Sequence, residues 1–244
     1  MTLRDGYQTN RGVAPRGFQV APDDVLTGGA GDDLIRGDRP AQGPGLPGPR
    51  SFHAFDAAGA GSFADARGGA PLETWALARG LARPTEGRLA AGPPTAAGDA
   101  LLFDGATEIA YARHDGAAAL AHGTVALWVR PDDLSQDTVI VSKDRSGDGE
   151  GGHFRLGFEA GGRLFLRFAE GDRGNRAWES VMPALEEGEW THLAVRFGVG
   201  EGIEVLVDGV ALPDHAWIRR EGNVDQPGLM TAAYLLANAE PWVL

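Results

Sequence analysis

The chain has 244 residues, with 34 acidic against 22 basic side chains, a formal net charge of −12 and no cysteine. Its acidity disfavours nucleic-acid backbones and anionic lipid and makes divalent cations the natural ionic partners; the lack of cysteine removes disulfides, thiolate metal ligands and thiol catalysis together. With 37 glycines and 15 prolines the backbone is punctuated as in a strand-and-turn protein, and the length suits one large all-β domain with a short appendage.

Residues 1–22 read as a polar lead-in that lacks the basic start, apolar run and cleavage site of an ordinary secretory signal. No stretch of the chain has the apolar length of a membrane span. An acidic glycine motif occupies residues 23–38, and residues 39–50, with Pro40, Pro44, Pro47 and Pro49, read as an extended linker. Residues 1–50 are thus expected to precede a domain spanning residues 51–244. Phe52 to Phe63 is expected to give an early strand and a glycine turn. Pro71 to Asp99, rich in alanine and broken by Pro84, Pro93 and Pro94, is expected to wrap the domain as loop, with a helical turn near Trp75 that Gly80 limits.

From Ala100 the strand signals become regular. Leu101–Phe103, Glu108–Tyr111, Thr124–Val129, Thr138–Ser142, His153–Phe158, Arg163–Phe168, Trp190–Phe197 and Ile203–Val207 are the predicted strands, and several alternate apolar side chains at the period of a half-buried pleat. Asp208-Gly209, between Val207 and Val210, is a two-residue hairpin signal because both central positions of the favoured turn need positive φ. Ala160-Gly161-Gly162 can turn the chain in the same way. Antiparallel pairing follows.

In the acidic motif, Gly28-Gly29-x-Gly31-x-Asp33-x-Ile35 resembles the nonapeptide of hemolysin-type (RTX) calcium-binding repeats, and Asp24 and Leu26 stand one repeat earlier. The chemistry suits those residue types. Glycines let carbonyl oxygens curl toward a hard cation, aspartate supplies charge, and the apolar residue enters a stacked core. The resemblance implies calcium ligation by Asp24, Gly28, Gly29, Gly31 and Asp33. Only one complete repeat and half of another are present, where about three usually support a stack. The segment is either a calcium site or a glycine turn in a solvated linker.

Leu101-Leu102-Phe103-Asp104-Gly105, Gly123 to Asp132, Val141 to Asp144, Gly151 to Leu156, Gly188 to Val195 and Val205 to Gly209 resemble, in order and spacing, the laminin-G-like, concanavalin A-like jelly roll. The resemblance implies an all-β fold, an antiparallel jelly-roll β-sandwich with the short glycine-aspartate appendage before it. Calcium in the loops and the holding of glycans or protein partners are also implied. In that family the segment like Asn238 to Leu244 leads into further strands, so the sandwich is expected to be incomplete at its C-terminus. Phe52–Phe55 or the last strand should then be poorly supported, or the chain should self-associate through that edge.

Between two predicted strands, Asp144, Asp148 and Glu150 lie among Gly147, Gly149, Gly151 and Gly152. They offer hard oxygen ligands for calcium, although the spacing is not that of an EF-hand, and a solvated hairpin loop is the other reading. Trp128 and Trp190, within strands, are expected in the core. Trp75, Trp178, Trp217 and Trp242, in less regular sequence, are expected on an exposed contact surface, the last three as ligand-binding residues. His192 is expected to make a structural hydrogen bond rather than to act as acid or base.

Glycoside hydrolases on this fold carry a Glu-x-Asp-x-x-Glu arrangement along one strand face; neither Glu186-Glu187-Gly188-Glu189 nor Glu201 with Glu204 matches it, and the six histidines form no short ligand motif. The expectation is a non-catalytic, secreted, extracellular bacterial recognition module. It would be calcium-dependent and bind carbohydrate or an extracellular protein. A structural spacer of a large calcium-dependent adhesin or exoprotein is the alternative, and an accessory domain of a polysaccharide-degrading enzyme a third.

Overall fold

A computed structural model describes residues 25–27, 51–53, 55, 61–65, 68–78, 81–93, 99–114, 123–143, 154–169, 175–198, 202–221 and 240–244. Among these residues the chain forms strands β1 (Val25–Thr27), β2 (Ser51–His53), β3 (Ser62–Phe63), β4 (Leu72–Ala78), β5 (Leu81–Pro84), β6 (Arg88–Ala91), β7 (Asp99–Leu102), β8 (Glu108–Ala112) and β9 (Gly123–Val129). They continue as β10 (Thr138–Lys143), β11 (Phe154–Glu159), β12 (Arg163–Ala169), β13 (Asn175–Ser180), β14 (Thr191–Gly198), β15 (Gly202–Val207), β16 (Val210–Ala211), β17 (Trp217–Glu221) and β18 (Trp242–Val243), with one 3-10 turn at Asp214–Ala216. No helix among them is long and apolar enough to cross a membrane.

A six-stranded sheet runs β16-β15-β14-β9-β1-β2 and a ten-stranded sheet runs β17-β13-β12-β11-β10-β18-β8-β4-β3, with β5 paired to β4; β6 and β7 form a separate pair. One hydrophobic core joins the two large sheets: Val125, Leu127, Leu193, Val195 and Val205 come from the smaller, and Phe154, Leu156, Leu164, Leu166 and Trp178 from the larger. Phe154 and Phe197 meet across the gap with ring centroids 5.9 Å apart. The alternation has a direct cause. Successive residues of a strand point to opposite faces, so Phe154, Leu156 and Phe158 enter the core while Arg155 and Glu159 face away. Each fully buried aromatic or aliphatic side chain contributes about 1.5–3 kcal/mol. The chain is therefore the all-β sandwich expected from the sequence.

The predicted turns form as expected. Asp208 (φ 51°) and Gly209 (φ 78°) both adopt the left-handed region between β15 and β16. The Asp208 carboxylate accepts the His192 N–H at 2.9 Å, and the Asp208 N–H donates to the His192 carbonyl at 2.8 Å, locking this turn to the start of β14. At the β11–β12 turn, the carbonyl of Gly162 (φ 81°) accepts the N–H groups of Ala184 (2.9 Å) and Leu185 (3.1 Å). A Cβ there would stand 2.4 Å from the Leu185 carbonyl oxygen, so glycine is required. Asp104 accepts the backbone N–H groups of Ala106, Thr107 and Glu108 and the Thr107 hydroxyl. Those bonds, the Thr107 hydroxyl foremost, hold its carboxyl well below the usual carboxylate range.

Two expectations are corrected. Residues 71–99 are not a wrapping loop with a helical turn at Trp75: β4 pairs with β3, β5 and β8, and β6 with β7. Backbone hydrogen bonds on both sides of β4 outweigh the helical preference of its alanines. Within residues 51–244 the paired strands are antiparallel as expected, and β1, from the acidic glycine segment before that domain, adds to the smaller sheet parallel to both β2 and β9. Of the two segments expected at an edge, β2 is the terminal strand of the smaller sheet, whereas β18 is paired on both sides. β18 sits inside the larger sheet between β8 and β10, and Leu244 exchanges backbone hydrogen bonds of 2.8 and 3.0 Å with Ala110. Beside it the fully buried Lys143 donates its ammonium to the Glu240 carbonyl and lies 5.6 Å from the Trp242 ring centroid. Finally, the tryptophan assignment is reversed, as described next.

Candidate functional site

Trp178, Trp217 and Trp242 were expected to be exposed ligand contacts; they are 1%, 1% and 2% exposed and belong to the core. The reason is register. Trp178 alternates inward with Ser180 on β13, Trp217 opposes Ser180 from β17, and Trp242 stacks edge-on to Phe154 at 5.6 Å. Trp128 and Trp190, expected in the core, are only half-buried. Trp128 lies 5.2 Å from the His192 ring, and the Arg130 guanidinium lies 5.4 Å from the Trp190 centroid. The His192 backbone, not its ring, makes the structural hydrogen bonds, and burial lowers its pKa, which keeps the imidazole neutral.

Asp24, Gly28, Gly29, Gly31, Asp33, Asp144, Asp148 and Glu150 lie outside the described residues. Among the described residues no group of three or more histidine, aspartate or glutamate side chains is placed to hold a metal ion.

The ten-stranded sheet turns two polar clusters away from the core. The first stands on β4 and β8. Leu72 and Thr74 face inward against Ala112 and Ala110, which sends Glu73 and Trp75 outward opposite Tyr111 and Ile109. The Tyr111 hydroxyl donates to Glu73 Oε2 at 2.8 Å, the Trp75 indole N–H donates to the same oxygen at 3.4 Å, and the Arg113 guanidinium approaches it at 3.6 Å. The Trp75 and Tyr111 rings are tilted by 43° with centroids 5.7 Å apart, and the Arg113 guanidinium stands 6.0 Å from the Tyr111 centroid. The Tyr111 hydrogen bond, ahead of every other influence, lowers the Glu73 pKa and keeps that carboxylate ionised. Burial and the same hydrogen bond raise the Tyr111 pKa, so the phenol remains a donor.

The second cluster stands on β11, β12 and β13. Directly opposed residues Val139, Gly157, Phe165 and Glu179 form one cross-strand row on the outer face. The Phe165 ring lies on Gly157, where a Cβ would come within 2.5 Å of it. Beside that row Arg163 donates to Glu159 at 2.7 Å, and Arg155 faces Arg167 across the strand pair. Burial and then the Arg167 charge lower the Arg155 pKa. Glu159 is hydrogen-bonded to Glu179, which raises the Glu159 pKa, with burial and mutual repulsion adding to the effect against Arg163. That contact favours the protonated form of Glu159.

Sequence reasoning named Trp75 but missed Glu73, Tyr111, Arg113, Glu159 and Glu179. The available signal was the alternation of Leu72, Thr74 and Ala76 with Glu73 and Trp75, hidden by the alanine-rich surroundings.

Residues 104–224 match the laminin-G family model described as the concanavalin A-like lectin/glucanases superfamily. No curated protein matches the chain in sequence. Among solved structures, the binding domain of Paraclostridial Mosquitocidal Protein 1 is similar over 70% of this chain and 46% of its own, at 9% identity and a TM-score of 0.43. The receptor binding domain of botulinum neurotoxin D is similar over 70% of this chain and 46% of its own, at 9% identity and a TM-score of 0.36. The Ruminococcus gnavus IT-sialidase CBM40, bound to α2,3-sialyllactose, is similar over 54% of this chain and 84% of its own, at 11% identity and a TM-score of 0.34. This chain spans just under half the length of the first two structures.

Proposed function

We propose that this chain is a non-catalytic recognition module that binds carbohydrate outside the cell, with calcium fixing its acidic glycine segments. The observation that carries this reading is the outer face of the larger sheet. Half-buried Trp75 and Tyr111 are held there by Glu73 and Arg113, on a sandwich whose residues 104–224 match a lectin and glucanase family model. Aromatic faces flanked by a few fixed polar groups suit the amphipathic surface of a pyranose. The lack of a Glu-x-Asp-x-x-Glu arrangement in the sequence favours binding over hydrolysis. Calcium is supported by sequence: the Gly28, Gly29, Gly31 and Asp33 pattern and the Asp144, Asp148 and Glu150 loop have the ligand chemistry of a hard cation.

The test is binding of the chain to an immobilised oligosaccharide panel with calcium and with chelator, together with melting curves in both conditions. Binding in calcium that weakens on chelation, with a Tm raised by calcium through mass action, is the expected result. A calcium-raised Tm with no binding to any glycan would favour the spacer role instead. Binding and Tm both indifferent to chelation would remove calcium from the reading.

A further inference from the structure

We infer that Glu73, Trp75, Tyr111 and Arg113 form a subsite for a neutral pyranose, an assignment that rests on the carbohydrate-binding reading above and gives it a place on the molecule. The subsite lies on β4 and β8, and Glu73 and Trp75 fall outside the residues that match the family model.

Three donors converge on one oxygen of Glu73. Tyr111 at 2.8 Å, Trp75 at 3.4 Å and Arg113 at 3.6 Å all address Oε2, and Oε1 receives none of them. The carboxylate is thus oriented and kept ionised by Tyr111 while its second oxygen retains its accepting capacity. What completes Oε1 must be a donor. Arg113 sits opposite as the complementary group: its side chain is 68% exposed, and a guanidinium has five N–H donors, of which this cluster uses few. An ionised acceptor next to a multivalent donor is the pair that a hydroxyl, both donor and acceptor, satisfies.

The rings supply the other half of the recognition. Trp75 and Tyr111 present tilted apolar surface 5.7 Å apart, between centroids, beside these polar atoms. A pyranose carries C–H groups on its face and hydroxyls around its rim, so one sugar can cover a ring and reach Glu73 and Arg113 together. The charge balance selects among sugars. An anionic residue would bring its carboxylate or sulfate against ionised Glu73 on a chain of net charge −12, whereas a neutral residue meets no such repulsion.

The experiment uses the whole chain and a panel of immobilised neutral oligosaccharides with their uronate-bearing and sialylated counterparts, read by biolayer interferometry. The wild-type chain is expected to bind neutral members. Trp75→Ala and the isosteric Glu73→Gln should each weaken that binding at least tenfold, Trp75→Phe should recover part of the loss by restoring a ring, and Trp190→Ala, on the other sheet's side, should bind as wild type. Near-UV circular dichroism identifies any variant that fails to fold, and Glu73→Gln, which preserves shape, then decides the matter alone. A wild-type chain that binds no member overturns the functional reading and the subsite with it. Wild-type binding that survives both Trp75→Ala and Glu73→Gln overturns the subsite and leaves the function standing. Preference for the acidic members overturns the assignment to neutral sugars.

Discussion

The two faces of the ten-stranded sheet are built from the same strands and obey different physics. On the inner face Trp178, Leu164, Leu166 and Phe154 are at most 1% exposed, and their neighbours across the sandwich are apolar. One residue away along each strand, Glu179, Arg163, Phe165 and Arg155 face outward among charged side chains and a single ring laid over Gly157. Volume decides what the inner face accepts; hydrogen bonding and ionisation decide it for the outer face. Trp178 and Trp75, both on strands of this sheet, fall on opposite sides of that division. Substitutions on the inner face should therefore register as stability, and those on the outer face as pH dependence and binding.

The sharpest way to break this division is Trp178→Ala. Removing a fully buried indole from close-packed surroundings costs its transfer free energy and leaves a cavity, about 3–5 kcal/mol together. Denaturant unfolding followed by far-UV circular dichroism measures it. A loss below about 1 kcal/mol would mean that Trp178 is not part of a packed interior, against the known range for core truncations.

Which parts of this architecture were legible in the sequence follows from the same division. β9, β12, β14 and β15 announce themselves because their inner rows are unbroken apolar alternations, as in Leu193, Val195 and Phe197. The Asp208-Gly209 turn was legible because its backbone demands those residue types. β13 was not, since Asn175–Ser180 contains one large apolar residue and its inner row continues into Ser180, whose hydroxyl serves the Leu164 N–H and the Met182 carbonyl. β4 was missed for a similar reason. Its buried Thr74 donates to the Thr85 carbonyl at 2.7 Å, a polar residue satisfied inside rather than outside. Regular sequence around a tryptophan does not mark it as buried, because the pleat alone determines which face a side chain joins: Trp178 enters the core from a polar strand while Trp128 is only half-buried. The Glu159–Glu179 and Glu73–Tyr111 pairs depend on strand register and have no local signature.

A smaller effect is expected at Phe165, which tests whether the outer face has packing of its own. Its ring covers Gly157 and is half-buried, so Phe165→Ala should cost about 1 kcal/mol, the upper range of a cross-strand pair. The same unfolding assay reads it. A loss as large as that of Trp178→Ala would show that the outer ring is a core residue in its own right, and the two faces would cease to differ in kind.

The smallest expected change is also the most specific, because it has a sign that reverses with pH. The hydrogen bond from Glu179, then burial and mutual repulsion, raise the Glu159 pKa, and Arg163 at 2.7 Å does not offset them. The folded chain therefore binds this proton more tightly than the unfolded chain does. Its stabilising contribution is fully present below the ordinary glutamate pKa and is lost as pH rises through the raised value. In Glu159→Gln the group cannot ionise, and the amide can still hydrogen-bond Glu179. The variant should match or fall slightly below wild type in stability near pH 4. Near pH 8 it should exceed wild type by about 0.2–1 kcal/mol, the range for like charges meeting across strands. Urea unfolding at closely spaced pH values gives the difference directly. A gap between the two proteins that is flat from pH 4 to pH 8 would mean that the contact with Glu179 does not raise the Glu159 pKa.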